Sequence, residues 1–248
     1  MAREFDEEVE LERLFEVLEQ VVEKQTEKNK EKLRKILSNI DSHHKALAED
    51  GEYTEMYVDI EYELAPLLND AEFRSNKVGE NAIQDTEIFD LFSEFVAIHN
   101  ENVEVVLASN PFISEQLRWR LAESEFEWEE DGTREALARN QNDPKLLTHL
   151  AEVGNVNVRF QVALSRFTPV ETLDELAMET EQCNFQMEEV LFGELSEYRG
   201  FTRWVLTQNG NTSRTTLEKI ANGNLPPLVG PAQEKVIESA KTRLRAIV

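Results

Sequence analysis

Ala136-Leu-Ala-Arg-Asn-Gln-Asn-Asp-Pro-Lys-Leu-Leu-Thr-His-Leu-Ala151 and Val158-Arg-Phe-Gln-Val-Ala-Leu-Ser-Arg-Phe-Thr-Pro-Val-Glu-Thr-Leu-Asp-Glu-Leu-Ala177 spell one arrangement twice. In the second stretch Val158, Val162 and Ala163 share a helical face, which predicts a first short helix. Arg166-Phe-Thr-Pro169 interrupts it. Thr168 then stands where an N-cap belongs, Pro169 at the first helical position and Glu171 three residues after the cap, as a capping box requires. A second helix follows, burying Leu173, Leu176 and Ala177. The first stretch repeats the logic, with Asp143-Pro144 as cap and first turn and Leu146, Leu147, Leu150 and Ala151 inside.

Two further copies run from Val106 to Ala122 and from Val205 to Ala221. Their caps are Ser114 and either Thr212 or Ser213, and their inner residues are Leu117, Leu121, Leu217 and Ile220. The copies at 136–151 and 162–177 start 26 residues apart, and the spacing widens on either side. A recurrent unit of this size predicts an all-α, helical-repeat solenoid of short stacked helix pairs. In these residues the chain resembles the leucine-rich repeat variant family, over roughly residues 101–180 and 201–222. The resemblance implies a right-handed stack of helix pairs without β-strands, and says almost nothing of activity. Some members of that family carry a cysteine-rich iron-sulfur segment. This chain has only Cys183, so that part does not transfer.

With 248 residues the chain is long enough to bury a sizeable core. One cysteine excludes an intramolecular disulfide and fits a reducing compartment. No run approaches the roughly 18 apolar residues of a membrane span, and Met1-Ala-Arg-Glu-Phe-Asp-Glu-Glu is acidic where a signal peptide is basic. A cytoplasmic protein is the expectation. The net charge is −24, and it is segregated: −7 over residues 1–23, +4 over 24–46, −19 over 47–131 and −2 over 132–248. Such a field repels nucleic acid and anionic membrane and steers a basic partner.

Along the chain, an acidic helical segment is expected over residues 1–70 and a repeat solenoid, of the leucine-rich repeat variant or HEAT-like kind, over 71–248. Residues 4–48 lack Gly and Pro and repeat apolar residues at three- and four-residue spacing, at 11, 14, 15, 18, 21, 22 and then 33, 36, 37, 40. That predicts one long helix or a helical hairpin, the hairpin capping the solenoid or, alternatively, the segment pairing with a second copy. Pro66 marks a kink or boundary. Residues 77–98 read as a degenerate repeat with Thr86 as cap and Ile88, Leu91, Phe92 and Phe95 on one face. Phe185 to Leu195 suggests an inserted helix, and Pro231 to Val248 a closing helix with Val236, Ile237 and Leu244 inward.

The chemistry of catalysis is not written here. His43-His44 diverge on a helix and have no third ligand, His99 and His149 stand alone, and no phosphate loop or nucleophile elbow is present. No cofactor and no metal are expected. Lys24, Lys28, Lys30, Lys32, Arg34 and Lys35 alternate with acids and decorate a solvated face, so no direct nucleic-acid binding is expected. The expectation is a non-enzymatic protein-binding module, monomeric or a homodimer through residues 4–48, offering an acidic surface to a basic protein. The alternative is an acidic nucleic-acid mimic that occupies the groove of a DNA- or RNA-binding protein, as inhibitors encoded by phages or mobile elements do. The candidate contact residues are Glu55, Asp59 and Glu63, spaced i, i+4 and i+8, and an insertion carrying Glu123, Glu125, Glu127, Trp128, Glu129, Glu130 and Asp131. Their side chains are expected to be exposed. Glu55, Asp59 and Glu63 also suit mere solubility, and Trp128 also suits packing back on the repeats.

Overall fold

The computed structural model describes residues 6–24, 26–49, 68, 84, 86–92, 101–124, 131–181, 201–229 and 232–247. They contain twelve α-helices and no β-strand. The chain divides into two compact units, residues 1–127 and 128–248. No helix among the described residues is long and apolar enough to cross a membrane.

In the first unit α1 (Glu7–Glu23) and α2 (Glu27–Glu49) form a hairpin. Asp6 caps α1 by accepting the Val9 N–H at 3.3 Å. Lys24 adopts an extended backbone that ends the helix. Asn29 then clasps the turn, its Nδ2 donating to the carbonyls of Gln20 and Lys24 at 3.2 and 3.1 Å. Leu14, Leu18 and Val21 on α1 and Leu33, Ile36, Leu37 and Ile40 on α2 are buried, which covers the stripe expected of α2 and part of that expected of α1. Leu11 and Phe15 are only half-buried. Lys30 is buried as well, and its ammonium binds Glu87 on the short helix α3 (Thr86–Asp90). That hydrogen bond, and then the lysine charge, hold the Glu87 carboxyl below its ordinary range.

Helix α3 stops after five residues. The N–H groups of Leu91 and Phe92 bond back three residues to Ile88 and Phe89. This tightening changes the inward set: Ile88, Phe89 and Phe92 are fully buried, whereas Leu91, expected inside, is half-exposed. Phe95 lies outside the described residues. The first repeat copy follows as α4 (Glu101–Ser109) and α5 (Glu115–Ala122).

Among its described residues the second unit holds three helix pairs: α6 (Gly132–Asn140) with α7 (Pro144–Val153), α8 (Val156–Leu164) with α9 (Val170–Leu176), and α10 (Thr202–Gln208) with α11 (Arg214–Ala221). The first helices α6, α8 and α10 touch in series, α7 touches α9, and the last helix α12 (Ala232–Ala246) lies on α10 and α11. Leu137, Leu147, Leu150, Val158, Val162, Leu173, Leu206 and Leu217 are fully buried between them. Ser114, Asp143 and Ser213 cap α5, α7 and α11. Thr168 does not cap α9. The helix starts one residue later, Pro169 takes the cap position without a side-chain bond, and the buried Thr168 hydroxyl instead donates to the Val162 carbonyl at 2.5 Å.

Two details fix the end of the unit. Gly223, at φ +68°, lets the chain leave α11 with the Gly223 N–H on Ile220 and the Asn224 N–H on Lys219, both at about the length of an ordinary bond. Helix α12 buries the narrow stripe Ala232, Val236 and Ala240, spaced by four. Ile237 and Leu244, expected inward, are half-buried, because two alanines on the stripe centre the contact on Val236. Residues 182–200, with Cys183 and the helix expected around Phe185 to Leu195, lie outside the described residues.

Candidate functional site

Of the acidic candidates, Glu123 and Asp131 fall on described residues, and they differ. Glu123 is exposed at the C-cap of α5. Asp131 is 5% exposed and is not a contact residue in waiting. It caps α6 through the Arg134 N–H at 3.2 Å, and the Arg134 guanidinium returns to its other oxygen at 2.9 Å. The local sequence Asp-Gly-Thr-Arg is a helix start, and the need for a cap overrides the tendency of an acid to face water. Glu55, Asp59, Glu63, Glu125, Glu127, Trp128, Glu129 and Glu130 lie outside the described residues. On α1 the exposed face carries Glu12, Glu16 and Glu19, and on α2 the exposed face carries Lys28, Lys32 and Lys35. No cluster of three or more metal-ligating side chains occurs among the described residues.

The turns that join the two helices of a copy form one edge of the second unit. Asn209 Nδ2 donates to the Ala163 and Ser165 carbonyls of the preceding copy at 2.7 and 2.9 Å, while its Oδ1 accepts the Asn211 N–H at 2.9 Å. Asn211 reaches the Arg166 carbonyl at 2.6 Å. Below them Ser213 and Thr216 both donate to Asp174 on α9, at 2.8 and 2.6 Å. The first unit repeats the pattern. Asn110 Nδ2 donates to the Leu68 carbonyl at 3.2 Å, its Oδ1 accepts the Phe112 N–H at 2.8 Å, and Ser114 donates to Asp90 at 2.7 Å. Asp90 thus stands to Ser114 as Asp174 stands to Ser213. The carbonyls of the last turn, Gln208 and Asn209, receive the Arg243 guanidinium of α12 at 3.0 and 3.4 Å. An arginine therefore closes the row that asparagine opens.

At the opposite edge of the second unit stand Arg134, Arg159 and Arg203, each three positions before a fully buried aliphatic of its helix, and Glu104 holds the same sequence position in the first unit. Glu104 is fully buried and accepts the Ser124 hydroxyl at 3.1 Å. Arg159 binds Glu179 at 2.6 Å and the Gly154 carbonyl at 2.7 Å. Arg203, 1% exposed, gives its guanidinium to the carbonyls of Ala177, Met178 and Pro226. Burial pushes its pKa down and the charge of Glu179 draws it back. For Glu179 burial acts upward, but the Glu181 N–H, the charge and hydrogen bond of Arg159 and the Thr180 N–H together outweigh it and hold the carboxyl below its ordinary range.

Between the C-terminal ends of α7 and α9 this edge is hollowed into a groove of about 310 Å³, lined by Glu152, Arg159, Thr172, Glu175, Met178 and Glu179 among others. A second groove of about 430 Å³ lies between α10 and α12, beside Trp204, Lys235 and Arg243. Hydropathy does not reveal the residues at 104, 134, 159 and 203, because they differ in sign and in partner: a hydroxyl for Glu104, a carboxylate for Arg134, a carboxylate and a carbonyl for Arg159, and backbone carbonyls for Arg203. Their one trace in the sequence is the fixed three-residue step to Leu107, Leu137, Val162 and Leu206. Compared with known proteins, the chain matches no family model, no curated protein and no solved structure.

Proposed function

We propose that the chain is a non-enzymatic helical-repeat module, a solenoid of stacked helix pairs akin to the leucine-rich repeat variant family, that binds a basic protein in the cytoplasm through an acidic surface. The observation that carries this reading is the repetition of bonds between copies. Ser114–Asp90 with Asn110–Leu68, and Ser213–Asp174 with Asn209–Ala163, join successive copies by the same side chains in the same roles. Stacking repeats bury a shared core and leave their outer residues free to vary, which is how such modules acquire partners. The net charge of −24 selects the sign of the partner. The hairpin α1–α2 turns its apolar stripes inward, which supports a monomer over pairing through residues 4–48.

A nucleic-acid mimic is the second reading, favoured by Glu12, Glu16 and Glu19 standing exposed along one face of α1. Successive carboxylates on such a face rise by about 4.5 to 6 Å, near the spacing of phosphates along a strand. The test is affinity capture from the cells that make the protein, followed by purification of what is retained and competition with duplex DNA and with RNA. A retained basic protein that ignores both nucleic acids supports the module. Displacement by either supports the mimic, and retention of no protein refutes both.

A further inference from the structure

Resting on the reading of a basic protein partner, we propose that the groove between the C-terminal ends of α7 and α9, walled by Glu152, Glu175 and Met178, takes one arginine side chain of that partner. Three independent features of the groove point to a guanidinium. Glu152 and Glu175 stand on opposite walls, both exposed, and neither has an ion-pair partner among the described residues. A planar guanidinium has donors enough to serve both carboxylates at once, which an ammonium cannot do with the same geometry.

The second feature is the rim. Met178 is 56% exposed, among the most exposed large apolar residues described, and its carbonyl is held by Arg203 while its thioether stays free. A flexible, polarisable thioether covers the aliphatic stem of an arginine whose head lies among carboxylates. The volume of about 310 Å³ suits a single side chain and its stem rather than a folded element.

The third is precedent within the molecule. The negative ends of α7 and α9 converge on this edge, and two guanidiniums of the chain itself are already seated there, Arg159 on the Gly154 carbonyl and Arg203 on those of Ala177 and Met178. Arg159 is committed to Glu179, whose other oxygen accepts the Thr180 and Glu181 N–H groups at 2.9 and 3.0 Å. That pair forms a fixed, neutral floor, and the two wall carboxylates are left for a third cation.

The experiment titrates the full chain, ¹³C-labelled at the methionine methyls, with hexa-arginine and with hexa-lysine, and uses Met178→Leu to identify the Met178 signal. Hexa-arginine is expected to move the Met178 methyl saturably and to bind more tightly than hexa-lysine. Glu152→Gln with Glu175→Gln is expected to weaken binding about tenfold, as two part-screened pairs worth a factor of about three to five each. Glu115→Gln with Glu234→Gln, which removes the same charge from exposed positions away from the groove, is expected to change it little. Thermal melting of each variant checks that the fold is kept. If hexa-arginine binds but leaves Met178 unmoved, or both double variants lose equally, or hexa-lysine binds as well, the groove assignment is overturned and the basic-partner reading survives. If hexa-arginine does not bind the wild-type chain, both fall.

Discussion

Asn209→Ala removes the hinge of the bonding between copies, and its cost follows from the geometry. The side chain is 8% exposed and makes three bonds: to the Ala163 carbonyl at 2.7 Å, to the Ser165 carbonyl at 2.9 Å and from the Asn211 N–H at 2.9 Å. Ala163 is fully buried, so its carbonyl loses its side-chain partner where water does not reach, whereas Ser165 and Asn211 are accessible and regain water. One buried orphan at about 2 kcal/mol and two replaceable bonds at about 0.5 kcal/mol each give a loss of about 3 kcal/mol. With a urea slope of about 2 kcal/mol per molar, the midpoint should fall by about 1.5 M at unchanged slope. Asn209→Asp, which keeps the acceptor and loses both donors, should cost at least as much, because it places a charge against two carbonyls. Asn211→Ala, exposed and with a hydrated alternative, should cost under about 1 kcal/mol. Urea unfolding followed by far-ultraviolet circular dichroism reads all three. A loss below about 0.5 kcal/mol for Asn209→Ala, no larger than a surface substitution, would refute the claim that this side chain joins two copies.

Gly154 sits where a Cβ would lie 2.5 Å from the Cβ of Val158 and 2.7 Å from the Leu150 carbonyl, so Gly154→Ala should destabilise by about 1 to 3 kcal/mol. Gly210→Ala, which meets nothing within 4 Å, should be near neutral in the same thermal melt. The buried hydroxyls of Thr133 and Thr202 have no hydrogen-bond partner, and two other copies carry Val103 and Val158 at that position, so Thr133→Val and Thr202→Val should each stabilise by about 1 kcal/mol in chemical denaturation. Since Glu179 has a depressed pKa, its contribution is complete above 4.5, its unfolded value, and is lost as pH falls through the lower folded value. Glu179→Gln should therefore lower the melting temperature near neutral pH, and the loss should shrink as pH falls below 4.5; a loss that does not shrink on acidification would remove the charge from the explanation.

What the sequence discloses here is what repeats locally. The leucines of each second helix and the caps Ser114, Asp143 and Ser213 are written as apolar spacing and cap chemistry within a few residues, and they stand in the structure as read. Thr168 misleads because Thr-Pro before an apolar run satisfies the cap rule, while the buried carbonyl of Val162 competes for the same hydroxyl and wins. Asp131 misleads in the same way: five acids around it suggest a solvated ridge, but it alone precedes a helix with an arginine three residues on. Arg203 is hidden for a different reason. Its acceptors lie 23 to 26 residues away in the chain and are backbone carbonyls, which no side-chain pattern encodes.

The salt dependence of partner binding tests the acidic-surface account most directly. For a retained basic partner, purified and titrated with the full chain at several salt concentrations from about 0.05 to 0.5 M, the screening length shortens about threefold. If the carboxylates carry the binding, log Kd rises steeply and linearly with log salt, and the wild-type chain loses at least about tenfold in affinity over that range. An affinity that stays flat across the range would contradict it, and would move the binding site from the carboxylates to exposed apolar residues such as Phe167 and Val170.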